Sequence, residues 1–153
     1  MSQARPLIID CHGHYTTAPK ALEEWRNRQI AGIQDAAARP RVADLQISDD
    51  ALRESIETNQ LRLMKERGSD LTIFSPRASF MAHHIGDFEV SSTWAGICNE
   101  LCHRVSQLFP DHFIGAAMLP QSPGVDPKTC IPELVKCVEQ YGNVGINLNP
   151  DPS

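Results

Sequence analysis

Apolar positions along the 153-residue chain follow two alternating rhythms. Short continuous apolar runs, of the kind buried parallel strands show, alternate with longer stretches whose apolar residues recur every three or four positions. The first run covers residues 7–10 and ends in the polar Cys11-His12-Gly13-His14. Residues 18–33 have only weak helical spacing (Leu22, Trp25, Ile33) before dissolving into "DAAARPRVAD", so an excursion over the surface is expected rather than a core helix. "ISDDALRESIETNQLRLMKERGSD" is a clearer helix. Ser48 or Asp49 caps it, acidic residues fill its first turn, and Lys65, Arg67 and Gly68 mark its stop. Leu52, Ile56, Leu63 and Met64 supply its expected buried face.

A second strand follows at residues 71–74, broken by Pro76, and then a loop carrying "RASFMAHHIGDFE". Residues 91–109 are strongly periodic, with Trp94, Ile97, Cys98, Leu101, Val105 and Leu108 on one helical face. "FIGAAMLPQ" predicts a third strand ending at Pro120. "IPELVKCVEQYG" predicts a helix that buries Ile131, Leu134, Val135 and Val138 and stops at Gly142. "VGINLNPDPS" predicts a fourth strand. Four strand–helix alternations imply right-handed crossovers and a parallel sheet, an α/β fold. No linker, low-complexity segment or short repeat divides the chain, so residues 1–153 read as one domain.

Composition narrows the function classes. A net charge of −5 without a basic stripe argues against nucleic acid or an anionic membrane as partner. No apolar run approaches the roughly 18 residues of a membrane helix. Five cysteines without a C-x-x-C pair fit neither a disulfide framework nor a structural zinc site. They read as reduced thiols, mostly small core residues, which suits a cytoplasmic protein.

In parallel α/β folds the ligand lies beyond the carboxyl ends of the strands. Those ends are Cys11-His12-Gly13-His14, Ser75-Pro76-Arg77, Pro120-Gln121 and Asn147-Leu148-Asn149. On extended backbone His12 and His14 point to the same side, and Gly13 adds no side chain opposite. Two imidazole nitrogens at that spacing can reach one divalent ion at about 2.0–2.1 Å. The bland alternative is a pair of hydrogen-bonded loop histidines.

The run "IIDCHGHY" resembles the first strand of the amidohydrolase superfamily, within it the branch of metal-dependent decarboxylases and hydratases. "DCHGHYTTAPKALEEWRNRQI", "SPRASFMAHHIGD" and "GINLNPDPS" resemble the 4-oxalomesaconate hydratases of that branch, over nearly the whole chain. The resemblance implies a distorted (β/α)8 TIM-like barrel and a divalent metal, usually zinc. It also implies hydration of 4-oxalomesaconate, a keto tricarboxylate, to 4-carboxy-4-hydroxy-2-oxoadipate in the 4,5-cleavage breakdown of protocatechuate and gallate. His12 and His14 would be metal ligands. Arg77 would clamp a substrate carboxylate, unless it makes only a surface ion pair or a strand-end contact. His83 and His84 would bind carboxylates from an overhanging loop, or stay solvated there. Asn147 would bond substrate or serve as a turn former. His103 and His112 read as a helix-surface residue and a residue preceding a strand, and the methionines as core filler.

Such a barrel needs about 250 residues, and four strand–helix units make half of one. The chain therefore reads as the N-terminal half of the barrel, truncated at its carboxyl end. Further metal ligands and the general acid or base are expected beyond Ser153, with Asp151 the only carboxylate near the fourth strand. The expected partners are a small carboxylate substrate and either a second half or another copy that closes the barrel. Rival readings are a decarboxylase or hydrolase of the same superfamily, and a non-catalytic module binding through its exposed sheet edge.

Overall fold

The computed structural model describes residues 5–77 and 81–148. Four strands, β1 (Ile9–Tyr15), β2 (Leu71–Pro76), β3 (Phe113–Met118) and β4 (Gly145–Asn147), form one parallel sheet in the order β1-β2-β3-β4. Each crossover thus moves one strand along in the same direction, as in the first half of a (β/α)8 barrel. Helices α1 (Lys20–Ala31), α2 (Asp49–Ser55), α3 (Leu61–Arg67), α4 (Phe88–Leu108) and α5 (Ile131–Glu139) connect them. Among the described residues no helix is long and apolar enough to cross a membrane.

β1 departs from expectation. It begins two residues later than the apolar run and continues through the histidines to Tyr15. Leu7, Ile8 and Ile9 are 66%, 46% and 48% exposed, so the run is not buried. It lies at the free edge of the sheet, where only β2 pairs with β1. The chain before it is anchored through Asp70, whose carboxylate accepts from the Ile8 amide at 2.8 Å and pairs with Arg5.

The segment expected to skirt the surface is instead a packed helix, α1. Trp25 is fully buried, stacks on Trp94 of α4 at 6.2 Å between ring centres, and donates its indole N–H to the Arg41 carbonyl. The rest of the buried face is polar. The Arg26 guanidinium lies over the Trp94 ring at 4.9 Å, and Gln29 donates to the Val90 carbonyl at 3.1 Å. Apolar periodicity cannot register a face built from arginine and glutamine.

The next helix starts at the expected cap, with the Ser48 hydroxyl accepting from the Ala51 amide. It ends at Gly68, whose φ of 72° is the left-handed conformation glycine tolerates best. A π turn over Ile56–Gln60 interrupts it. That wider turn brings Leu61 beneath Ile56, so Leu61 is buried and Leu63 moves to the flank.

α4 starts three residues before the expected position because Asp87 caps it, accepting from the Val90 amide at 2.9 Å. Its buried Trp94, Ile97, Cys98, Leu101 and Val105 join Phe74 and Phe113 of the sheet in the main core. Asn99, 1% exposed, clips three elements together. Its oxygen accepts from the Met118 amide, and its nitrogen donates to the Met118 carbonyl and to Glu133 of α5.

α5 turns a different face inward than its pattern suggests. Cys137 is fully buried with Cys130, Ala117 and Leu119, and Leu134 packs partly against them. Ile131, Val135 and Val138 are 49%, 43% and 50% exposed. β4 is short, and Asn149 and Asp151 lie outside the described residues.

Candidate metal centre

Paired residues of a parallel ladder share a face, and faces alternate along each strand. The pairs His14–Ser75, Ile73–Ile114 and Met118–Asn147 therefore put His14, Ser75 and Asn147 on one face of the sheet. Phe74, Phe113 and Ala117 lie on the other, under the helices. The chemistry-bearing face is the one away from the helical layer.

A register irregularity between Asp10 and Gly13 lies directly before the site. It sets Cys11 and His12 together against Ile73, an extra residue of the kind that re-aims side chains next to functional sites. The Asp10 carboxylate supports the bend by accepting from the His12 amide at 3.1 Å. Gly13 faces the helical layer and is sterically required: a Cβ there would lie 2.2 Å from the Thr72 methyl.

With that backbone, the two imidazoles converge. The Nε2 atoms of His12 and His14 are 3.0 Å apart, and the rings meet edge to face at 4.6 Å. With bonds of about 2.05 Å, this separation corresponds to an N–metal–N angle of about 95°, within reach of tetrahedral coordination. The back of the His14 ring is held firmly. Its Nδ1 lies 2.8 Å from the Ser75 hydroxyl and 3.0 Å from the Pro76 carbonyl. This is the outer-shell arrangement that presents Nε2 to an ion. The donor set therefore fits a divalent metal as two of its ligands. Among the described residues no cluster of three or more His, Cys, Asp or Glu completes it.

The other predicted residues are distributed around the strand ends. Arg77 is exposed and borders a cavity of about 60 Å³ with Tyr15, Thr16, Glu23 and Trp94. Tyr15 is buried there, its hydroxyl 2.6 Å from Ser55, and desolvation raises its pKa to about 12. His83 is 5% exposed and lines a separate cavity of about 310 Å³ with Pro120, Gln121, Asp126 and Leu148, at the ends of β3 and β4. His84 is exposed, with its ring edge-on to His83 at 5.8 Å. Asn147 shares the face of His14 but is three strands away, about 14 Å along the sheet. Its amide nitrogen is shielded and has no hydrogen-bond partner. The structure thus joins His12 to His14 and holds Arg77, His83 and Asn147 toward the same end of the sheet.

His103, expected on the helix surface, is half-buried and stacks on Tyr141 at 4.3 Å. His112 precedes β3 as expected. All five cysteines are free. Cys11 is exposed, and burial raises the pKa of Cys98, Cys102, Cys130 and Cys137. Sequence reasoning noted Ser75 only as part of a strand end. Its role depends on the β1–β2 register, which no local pattern carries.

Comparison with known proteins identifies the family. The 2-keto-4-carboxy-3-hexenedioate hydratase of Sphingobium sp. strain SYK-6 is 57% identical over 146 residues, 95% of this chain and 42% of that protein. The crystal structure of 4-oxalomesaconate hydratase from Rhodopseudomonas palustris is 75% identical, with a TM-score of 0.89, over 95% of this chain and 42% of that one. A dihydroxybenzoic acid decarboxylase from Polaromonas sp. JS666, solved with manganese and 2-nitroresorcinol, is 25% identical with a TM-score of 0.62, over 95% and 39%. The chain spans about two-fifths of the length of these relatives. The amidohydrolase family model matches residues 9–153, and the chain belongs to that family.

Proposed function

We propose that the chain carries the first part of the active site of a metal-dependent hydratase acting on 4-oxalomesaconate. The observation that carries this reading is the convergence of the His12 and His14 Nε2 atoms at 3.0 Å. It is supported by 75% identity to a relative named for that hydration. The metal we propose is zinc, bound through these imidazoles, and when bound it supplies a Lewis acid and lowers the pKa of a coordinated water to about 7.

In the conjugated isomer of the substrate, in which the alkene adjoins the ketone, the oxygen of water bonds to the alkene carbon distal to the ketone. The π pair moves toward the keto group, and a proton is then delivered to the neighbouring carbon. His14 is oriented for its part by Ser75 and the Pro76 carbonyl. Arg77, whose guanidinium matches a carboxylate in bidentate fashion, holds one carboxylate of the substrate. His83, His84 and Asn147 offer further hydrogen bonds to the remaining carboxylates. The pathway is breakdown of protocatechuate and gallate by 4,5-cleavage, and the free thiols suit a reducing cytoplasm.

The partner we propose for the exposed margin of the sheet is a second set of β/α units. The relatives are more than twice as long as this chain. Ile131, Val135, Val138, Val144, Ile146 and Leu148 give such units an apolar surface.

The test is a chimaera in which this chain replaces the matching segment of the Rhodopseudomonas hydratase. Hydration of 4-oxalomesaconate without carbon dioxide release, lost in the His12→Ala, His14→Ala double variant, is the expected result. Carbon dioxide release would favour the decarboxylase reading instead. A chimaera that retains full hydration with both histidines replaced would overturn the metal site.

A further inference from the structure

We infer that Ser75 is a positioning residue that fixes the tautomer in which His14 presents Nε2 to a metal. This inference rests on the metal-centre reading. The argument starts from acceptors. The Pro76 carbonyl, 3.0 Å from His14 Nδ1, can only accept, so a bare Nδ1 would put two lone pairs against each other. The Ser75 hydroxyl lies 2.8 Å from the same nitrogen and 3.1 Å from the Gly13 carbonyl. If the hydroxyl donates to Gly13, its oxygen accepts from Nδ1. Every partner is then satisfied at once: Nδ1–H is shared between Ser75 and Pro76, and the hydroxyl proton goes to Gly13. The alternative, Ser75 donating to a bare Nδ1, leaves the Pro76 carbonyl facing a lone pair at 3.0 Å.

With its proton on Nδ1, the neutral His14 ring presents a lone pair at Nε2, ready for a metal. His12 Nε2 faces that lone pair at 3.0 Å. A metal between the rings takes the Nε2 lone pair of each, and His14 already offers its own. Ser75 is placed for this by register, as the β2 partner of His14, and it is only 5% exposed, so solvent does not compete for its hydroxyl.

Two-bond 1H–15N NMR of the metal-free chain reads the tautomers directly. His14 should have its proton on Nδ1, and added Zn2+ should leave it there. In Ser75→Ala, His14 should become a mixture of tautomers and the Zn2+ dissociation constant should rise about tenfold, as outer-shell losses typically do. Ser75→Thr keeps the hydroxyl and should restore both. Nε2–H on His14 in the unmodified chain, which needs no variant to observe, would overturn the inference. So would a Ser75→Ala chain with unchanged tautomer and unchanged Zn2+ affinity. A His14→Ala chain binding Zn2+ as tightly as the unmodified one would instead overturn the metal-centre reading, while the metal-free tautomers still judge the role of Ser75.

Discussion

Replacing Gly13 by alanine should destabilise the protein, although the backbone alone predicts the opposite. Gly13 is not among the residues with positive φ, so alanine is conformationally permitted. At such a position the lost freedom of the unfolded chain normally stabilises by about 0.4–1 kcal/mol. The obstacle is steric. An added Cβ would lie 2.2 Å from the Thr72 Cγ2 and 3.3 Å from the Ile73 carbonyl oxygen, where carbon atoms in contact prefer about 3.5–4.0 Å. Thr72 cannot yield cheaply. It is β-branched, 4% exposed, and its hydroxyl is 3.3 Å from the Met64 sulfur. Overpacking of this kind costs about 1–3 kcal/mol, so the net change should be a loss of about 1–2 kcal/mol. Because β1 would have to shift to relieve the clash, the His12–His14 pair should open and zinc affinity fall with it. Urea unfolding supplies the measure, with the midpoint moving at constant slope. A double-mutant cycle isolates the cause. Thr72→Ser removes only the offending methyl, so Gly13→Ala in that background should cost little, giving a coupling of about 1–2 kcal/mol. Additive losses, or a Gly13→Ala chain at least as stable as the parent, would refute the steric argument.

Two further predictions follow from burial. The native state holds the Tyr15 proton up to a pKa of about 12 against 10.0 for an ordinary phenol, so the stability it contributes is complete below pH 10 and is lost as pH rises toward 12. Cys137, raised from 9.0 to about 12, adds to the alkaline decline from pH 9 upward. Tyr15→Phe should flatten the part of the curve above pH 10 by about 2 kcal/mol, and an unchanged slope in urea melts between pH 9 and 12 would count against it. A thiol-reactive dye should modify Cys11 rapidly in the native chain and the four buried cysteines only after unfolding, since those thiols are both inaccessible and disfavoured as thiolates. Fast modification of more than one thiol in the native chain would be evidence against the packing of α4 and α5.

Most of the architecture was legible because strand runs and helical stripes have different periods. The parallel β/α alternation, the α4 face and the caps at Ser48 and Gly68 all follow from local pattern and turn chemistry. The misreadings arose where burial is not apolar or where the period changes. Helix α1 hides Arg26 and Gln29 beside Trp25, and the π turn at Ile56–Gln60 exchanges Leu63 for Leu61. At the site, the spacing of His12 and His14 announced a shared direction, which the structure has. It could not announce Ser75 or the Pro76 carbonyl as the groups holding His14, since these meet it only through strand pairing 61 and 62 residues away in sequence.

The remaining misreadings have a common location. The apolar residues expected inside but found exposed are Leu7, Ile8 and Ile9 at the β1 edge, and Ile131, Val135 and Val138 on α5, the helix that leads into β4. None lies in the middle of the sheet, where Phe74, Phe113 and Ala117 are all buried. Random surface hydrophobicity would not sort itself to the two margins of one sheet while sparing its centre. These residues carry patterns suited to burial at the positions where a closed barrel continues into its neighbouring units. The same margins expose unpaired strand edges, which an isolated sheet must otherwise blunt with charge, proline or a bulge. The apolar pattern therefore favours our proposal that further β/α units adjoin this sheet, with the exposed residues at its margins as the joining surface.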